Sequence, residues 1–370
     1  MKSKLNVVML SAVALAFCSI PASAAVGAVY TLNNSSSGNA VLMFNRSSNG
    51  YLALGGTFAT GGLGSGAGLG SQGAVILDAS NRFLFAVNAG SNTISVFSVT
   101  VNGLSLIGTT SSAGQNPISL TSFGNLLYVL DDGGAAGGND TIAGFTVDAN
   151  GHLQNISQGT LLSAPYVGPA EISFNPEGNL LIVTEKNTNN IDVFSLDVNG
   201  VASGPNVIAS AGETPYGFAF GRRDNLIVSD AVGGTANAGA VSSYFLAEDQ
   251  THHTVSASVA DKQSAPCWIA ATNDGRFAYT TNTGSGTVSA YSVGYAGKLG
   301  LLNANGIAAS LGGSSAPIDL AISNDSGFLY VLGPGTGIVD GFKIESNGAL
   351  TTLQGSVGGV PASASGLAVR

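Results

Sequence analysis

Residues 117–131 read PISLTSFGNLLYVLD, and TIAGF follows at 141–145. The same arrangement returns near the C-terminus, where 317–333 read PIDLAISNDSGFLYVLG and 338–342 read IVDGF. Apolar and polar residues alternate within each short segment, and glycine or asparagine separates the segments. This two-residue period is typical of β-strands, and turn residues at such intervals indicate several strands in each copy.

Seven copies of this pattern follow one another along the chain. They align on an aromatic or aliphatic residue in the second strand of each copy: Tyr30, Phe85, Tyr128, Ile182, Ile227, Tyr279 and Tyr330. These positions lie 43 to 55 residues apart, and a four-stranded propeller blade takes about 40–50 residues. The Asn-Gly pairs at 102–103, 150–151, 199–200 and 347–348 each predict a hairpin turn. The sequence therefore predicts an all-β fold, a seven-bladed β-propeller.

The two ends of the chain predict how the ring closes. The first copy begins at its second strand, AVYTL at 28–32, without a preceding first strand. The final segment, SGLAV at 365–369, matches first strands such as PYGFAF at 215–220. We therefore expect the C-terminal strand to complete blade one, which removes sheet edges that would pair with other chains. An open β-solenoid would not explain this exchange between the two ends.

Residues 1–24 have the features of a secretory signal peptide. Two lysines precede a mostly apolar stretch at 7–20, and ASA at 22–24 forms a cleavage site of the A-x-A type. The mature chain, residues 25–370, is expected to form a single propeller domain that is periplasmic or secreted. The alternatives are an N-terminal membrane anchor and a lipid attached to Cys18.

Charge and composition exclude several classes of partner. Without the two lysines of the leader, ten basic and 21 acidic residues remain, a formal charge of −11. No run of basic residues is present, so nucleic acid is not an expected partner. After the leader, no apolar stretch is long enough to predict a membrane span. Cys267 is the one remaining cysteine, so no internal disulfide is expected. The protein is expected to be a monomer.

The repeats resemble those of the lactonase-type seven-bladed propellers, the family of bacterial 6-phosphogluconolactonase and the fungal carboxymuconate cyclases. NRFLFAVN at 81–88 and NDGRFAYTTN at 273–282 carry the resemblance, which covers essentially the whole mature chain. The resemblance implies a small-molecule ligand and the hydrolysis or formation of a small lactone. The same blades occur in non-catalytic surface proteins, because a fold does not imply an activity.

Polar residues recur at two positions of the repeat that meet at one mouth of the channel. These positions are the start of each first strand and the end of each second strand. Five carboxylates occupy them: Asp131, Glu171, Glu185, Asp230 and Asp319. Three further polar or aromatic residues do so as well: Asn88, Asn282 and Trp268. We predict that these side chains bind a small-molecule ligand at the channel mouth.

Glu185 and Glu171 form the predicted catalytic pair. By resemblance, Glu185 matches the glutamate of an Asn-Glu-Leu motif, whereas Ala170 and Glu171 stand where relatives have an Arg-His pair. Two neighbouring carboxylates repel, which raises one pKa and provides an acid and a base at neutral pH. Lys186 would bind a substrate carboxylate or neutralise a developing oxyanion. On this hypothesis Glu185→Gln abolishes turnover and leaves the melting temperature nearly unchanged.

Other interpretations of the same residues stay open. Asparagine and aspartate at strand ends also act as turn-formers, and Lys186 would also suit a solvated loop. The missing Arg-His pair favours a non-catalytic propeller that binds a carbohydrate, a cell-envelope component or a protein. No metal or other cofactor is predicted; for calcium, Asp131 and Asp132 with Asp140 are the candidates, and the run between them lacks alternating oxygen ligands.

Two further segments have no predicted place in the mouth. The Gly-rich stretch at 61–73 lacks the Lys-Ser/Thr of a phosphate-binding loop, and it is interpreted as a link between blades one and two or a lid. Arg222 and Arg223 lie in a turn between a first and a second strand, at the end opposite the predicted mouth.

Overall fold

The computed structural model describes residues 25–133, 137–353 and 355–370. Within these residues the strands form seven antiparallel sheets, which are the blades of a propeller. The predicted leader, residues 1–24, lies outside the described residues. The predicted all-β, seven-bladed fold is confirmed.

Each of the first four blades contains four strands. Blade one contains β1 (Ala25–Leu32), β2 (Ala40–Ser47), β3 (Leu52–Ala59) and, innermost, the C-terminal β30 (Ser365–Val369). Blade two contains β4 (Val75–Leu77), β5 (Phe83–Asn88), β6 (Thr93–Thr100) and β7 (Gly103–Ser111). Blade three contains β8 (Pro117–Phe123), β9 (Leu126–Asp131), β10 (Thr141–Val147) and β11 (Leu153–Leu161). Blade four contains β12 (Pro169–Phe174), β13 (Leu180–Glu185), β14 (Asn190–Leu196) and β15 (Ala202–Ala209).

The outermost strand is divided in two in blades six and seven. Blade five contains β16 (Pro215–Phe220), β17 (Leu226–Asp230), β18 (Ala240–Leu246) and β19 (His252–Ala260), with 3-10 turns at Arg222–Asp224 and Val232–Gly234. Blade six contains β20 (Pro266–Ala271), β21 (Phe277–Asn282), β22 (Thr287–Val293), β23 (Leu299–Leu301) and β24 (Ala309–Ser310). Blade seven contains β25 (Leu320–Ile322), β26 (Phe328–Gly333), β27 (Ile338–Ile344), β28 (Leu350–Thr352) and β29 (Val357–Gly358).

The C-terminal strand closes the ring as the sequence predicted. β30 pairs antiparallel with β1, and Val369 lies opposite Val29 while Ser365 lies opposite Leu32. Because β1 and β30 are paired with each other, neither strand leaves an unpaired sheet edge where they meet. The first strand of blade seven differs from the prediction, because it begins at Leu320 rather than at Pro317.

Buried tyrosines join neighbouring blades. The phenolic hydroxyl of Tyr330, in blade seven, donates to the carbonyl oxygen of Gly50 in blade one at 2.8 Å. Tyr128 makes the equivalent bond to Gly200 at 2.6 Å, and Tyr279 bonds to a glycine in blade seven at 3.0 Å. These three tyrosines therefore fill the space between two blades, and each donates to a carbonyl of the next blade.

The strand register defines two ends of the ring. Each second strand ends where its neighbouring first strand begins, as Glu185 lies opposite Pro169 and Asn282 opposite Pro266. The chain crosses to the next blade at this end, which we call the crossover end. The turns between first and second strands, and between third and fourth strands, lie at the opposite end, which we call the hairpin end. No helix within the described residues is long and apolar enough to cross a membrane.

Candidate active site in the central channel

The Gly-rich stretch crosses the channel at the crossover end. Its last part, residues 69–73, reads LGSQG and is called the channel plug below. The side-chain amide of Gln72 donates to the carbonyl of Ile269 at 2.8 Å and accepts from its N–H at 3.1 Å. The backbone N–H of Gln72 donates to Ala170 at 3.0 Å. The plug is therefore held by the inner strands of blades four and six at once.

Lys186 and Trp268 hold the plug from its sides. The ammonium group of Lys186 donates to the carbonyl of Gly70 at 2.8 Å and lies 4.9 Å from the ring centroid of Tyr216. Burial lowers the pKa of Lys186, against the opposing effect of nearby acidic groups. The indole N–H of Trp268 donates to the carbonyl of Ser71 at 2.7 Å. The lysine thus points into the mouth, where the plug is its partner, and it is not a solvated loop lysine.

The ends of the second strands lie beneath the crossover loops. Glu185 is fully buried and accepts hydrogen bonds from the hydroxyl of Ser163 at 2.8 Å and from the hydroxyl of Thr188. Asp192 accepts from the backbone N–H of Ser163 at 2.9 Å. The pKa of Asp192 is raised to about 8, mainly by burial and to a smaller extent by the adjacent Glu185. Glu185 therefore has Asp192 as its carboxyl neighbour, rather than the predicted Glu171.

Four equivalent residues of other blades are buried as well. Asn88 donates to the hydroxyl of Ser95 at 2.7 Å, Asn282 donates to a serine hydroxyl at 2.8 Å, and Asp230 accepts from one at 2.6 Å. Burial raises the pKa of Asp131 to about 8 and that of Asp230 to about 7. All four side chains are fully buried. Glycines of the crossover loops pack against Asn88, Asp131 and Asp230. The predicted ring of five mouth carboxylates is therefore divided between two environments.

A cavity of about 390 Å³ occupies the channel below the plug. Gln72 and Gly73 form its inner end, and it extends to the hairpin end, where Asp78 and Asn324 line it. None of the residues that line it is lysine, arginine or histidine. The accessible part of the channel therefore faces the end opposite the predicted mouth.

Glu171 and Asp319 are the two predicted carboxylates that line this cavity. Glu171 is 8% exposed and Asp319 is 1% exposed. Glu171 accepts from the backbone N–H of Phe218 at 2.6 Å, and Asp319 accepts from that of Leu320 at 2.8 Å. They lie on the inner-strand segments of blades four and seven, so two distant parts of the chain supply one carboxyl pair.

Burial changes the acidity of both groups. It raises the pKa of Glu171 well above its ordinary value, and the charge of Asp319 raises it further. Burial also raises the pKa of Asp319 to about 8, against the opposing effect of backbone N–H groups, including that of Gly73. Burial therefore favours the protonated form of both carboxyl groups, and that of Asp319 ionises near pH 8.

The described residues contain no group of three or more His, Cys, Asp and Glu side chains that would hold a metal ion. In the predicted calcium candidate, Asp140 is close enough to Asp132 for that charge to raise its pKa, after the larger effect of burial.

A closed seven-bladed β-propeller with an acidic channel cavity defines the class of this protein. A sequence profile described as "Lactonase, 7-bladed beta-propeller" matches residues 23–132, 117–203 and 225–365. The matched regions include most of the chain, and the chain belongs to this family.

Solved structures with the same fold cover nearly the whole chain. A periplasmic gluconolactonase from Pseudomonas aeruginosa has a TM-score of 0.69 at 16% identity, over 92% of this chain and 99% of that chain. A candidate 6-phosphogluconolactonase from Bacteroides fragilis has a TM-score of 0.68 at 18% identity, over 95% of this chain and 99% of that chain. A protein from Lactobacillus plantarum has a TM-score of 0.70 at 15% identity, over 93% of this chain and 99% of that chain. At these identities the likeness shows the fold alone. No curated protein matches the sequence significantly.

Proposed function

We propose that this protein hydrolyses a small lactone in the channel cavity, with Glu171 and Asp319 as its acid and base. The observation that carries the proposal is that both carboxyl groups line one cavity of about 390 Å³. This volume suits a small molecule. The two groups also differ in surroundings, and such a difference separates the roles of acid and base.

The proposed reaction needs two proton transfers. Ionised Asp319 takes a proton from water as the water oxygen attacks the lactone carbonyl carbon. The bond between this carbon and the ring oxygen then breaks, and protonated Glu171 gives its proton to the departing alkoxide. The product is a hydroxy acid, and a proton transfer through solvent restores the two carboxyl groups.

A non-catalytic propeller is the second candidate function. It is supported by Ala170 and Glu171 in place of the Arg-His pair of relatives, and by the absence of a cationic side chain among the residues that line the cavity. A substrate carboxylate would have no cationic partner there. The second candidate is a binding protein for an uncharged carbohydrate or a related cell-envelope compound, without turnover.

A lactone hydrolysis screen distinguishes the two. Residues 25–370 are purified and assayed with uncharged sugar lactones and simple γ- and δ-lactones, with Glu171→Gln and Asp319→Asn alongside. Glu345→Gln is the control, because Glu345 is a hairpin-end carboxylate that pairs with Lys343. Turnover that is lost in both cavity variants and kept in the control supports the enzyme. Saturable binding without turnover of any lactone supports the binding protein.

We also propose that residues 1–24 are removed during export and that residues 25–370 act as one domain in the periplasm or outside the cell. The charged start, the apolar stretch and the A-x-A site support this. Mass spectrometry of the protein from cell fractions tests it. A protein that begins at Ala25 and is found outside the cytoplasm is the expected result, and an intact leader on a cytoplasmic protein would contradict it.

A further inference from the structure

The turn after the first strand of blade five has an unusual backbone. Arg223 and Asp224 both have left-handed conformations, with φ of 51° and 59°. The corresponding turns of the other blades from two to seven each contain a single left-handed residue: Asn81, Gly124, Gly178, Gly275 and Ser326. A long side chain is disfavoured in this region because its Cβ approaches the backbone carbonyl. Strain of this kind persists where surrounding contacts enforce it, and it occurs often at ligand sites.

This turn forms one wall of a surface cavity of about 310 Å³. Arg222 and Arg223 line it from blade five, and Asn273, Asp274 and Tyr295 line it from blade six. The guanidinium carbon of Arg223 lies 5.1 Å from the ring centroid of Tyr295. Tyr295 is 67% exposed, so much of this aromatic side chain is available to a ligand.

The two arginines have no acidic partner among the residues that the structure describes. Within the described residues the ion pairs are His152–Asp148, Arg276–Asp274 and Lys343–Glu345. Asp274 in the cavity wall is therefore neutralised by Arg276. Asp224 lies close to Glu177 and raises its pKa, after the larger effect of burial. Asp224 also lines the cavity, but neither Arg222 nor Arg223 forms an ion pair in the part of the chain that the structure describes, in a protein with a formal charge of −9.

We propose that this cavity binds a carbohydrate that carries a carboxylate, a sugar acid. Guanidinium groups bind carboxylates through paired charge-assisted hydrogen bonds. The exposed ring of Tyr295 offers an apolar surface with a polar edge, which suits the face of a sugar ring. The side-chain amide of Asn273 donates to the carbonyl of Asn324, which leaves its oxygen to accept a sugar hydroxyl. The volume fits one monosaccharide unit.

The sugar-acid site is separate from the proposed active site. The residues that line it and those that line the channel cavity have no member in common. Binding there needs no turnover, so the inference does not depend on lactone hydrolysis.

Isothermal titration calorimetry of residues 25–370 with glucuronate, galacturonate and glucose tests the inference. We expect saturable binding of at least one uronate, no binding of glucose, and an affinity that falls as NaCl is added. The double variant Arg222→Gln/Arg223→Gln should weaken uronate binding by about tenfold or more. Tyr295→Ala should weaken it as well.

Two control variants keep the test specific. Arg82→Gln removes an arginine from the same turn of blade two, where its guanidinium lies 5.0 Å from the ring of Phe83, and it should leave uronate affinity unchanged. Glu171→Gln should also leave it unchanged, because Glu171 lines the other cavity. Arg222→Lys with Arg223→Lys keeps the charge without the paired geometry and should bind with intermediate affinity. Absent uronate binding, equal binding of glucose, or full affinity in the folded double glutamine variant would overturn the inference.

Discussion

The side-chain amide of Gln72 forms hydrogen bonds with both the N–H and the carbonyl of Ile269, at 3.1 and 2.8 Å. Gln72 follows blade one and Ile269 lies in the inner strand of blade six. A single side chain therefore ties the channel plug across the ring. This contact closes the crossover end and leaves Glu171 and Asp319 facing the hairpin end.

Gln72→Ala should lower the free energy of unfolding by about 1–3 kcal/mol, because two buried backbone groups of Ile269 lose their partners. Urea denaturation measures this change, and hydrogen exchange should be faster at the Ile269 amide. Gln154→Ala is the matched control, since Gln154 is exposed on an outer strand. Equal stability of the two variants would contradict the role of Gln72.

The rate of lactone hydrolysis should rise with pH up to about 8. Burial raises the pKa of Asp319 to about 8, and the proposed base acts only when it is ionised. Below this pKa, kcat/KM should therefore fall about tenfold for each pH unit. Initial rates between pH 5 and 9 measure the profile, with Glu345→Gln as control. A rate that is constant between pH 5 and 8 would exclude Asp319 as the base.

Glu185→Gln should destabilise the protein by about 1–3 kcal/mol, because its buried carboxyl accepts hydrogen bonds from Ser163 and Thr188. The folded fraction should keep its turnover, since Glu185 is not among the residues that line the channel cavity. Thermal melting and assays of the folded protein measure the two effects. Glu213→Gln, an exposed carboxylate of the same end, is the control. Lost turnover at an unchanged melting temperature would instead support the catalytic role that the sequence predicted.

Stability should fall as the pH rises from 4 to 8. Burial raises the pKa of Asp131 to about 8, of Asp230 to about 7 and of Asp261 to about 6, from an ordinary value of 3.8. The folded state therefore binds these protons more tightly than the unfolded state, and the stabilisation present below pH 4 is lost through this range.

Urea denaturation at pH 5 and pH 8.5 measures the pH effect. The free energy of unfolding should be lower at pH 8.5 by more than about 1.4 kcal/mol, the equivalent of one pKa unit. Asp131→Asn should reduce the difference, because the amide does not ionise. An unchanged or higher stability at pH 8.5 would show that these carboxyl groups are not held protonated in the folded protein.

Tyr330→Phe should lower the free energy of unfolding by about 1–2 kcal/mol, because the buried carbonyl of Gly50 loses its hydrogen bond. The bond joins blades seven and one, so hydrogen exchange should increase where these blades meet. Tyr51→Phe is the control, because Tyr51 is 43% exposed and the loss of its hydroxyl should change the free energy of unfolding little. Equal denaturation midpoints for both variants would contradict the inter-blade role.

The propeller, its seven blades and its closure by the C-terminal strand could be predicted from the sequence. Each blade is encoded locally, by strand alternation and turn residues that recur at a similar spacing. The position of Glu171 and Asp319 near the channel follows from the same repeat, because equivalent residues of each blade have equivalent places in the ring.

Which of these residues share a cavity could not be predicted from the repeat, because it depends on tertiary contacts. The plug has no strand pattern, and its path across the channel depends on contacts with inner strands far away in the sequence. Glu185 and Glu171 come from paired strands, yet the crossover loop covers one while the channel surrounds the other. A repeat specifies equivalent backbone positions, whereas burial, charge neighbours and access depend on loops that differ from blade to blade.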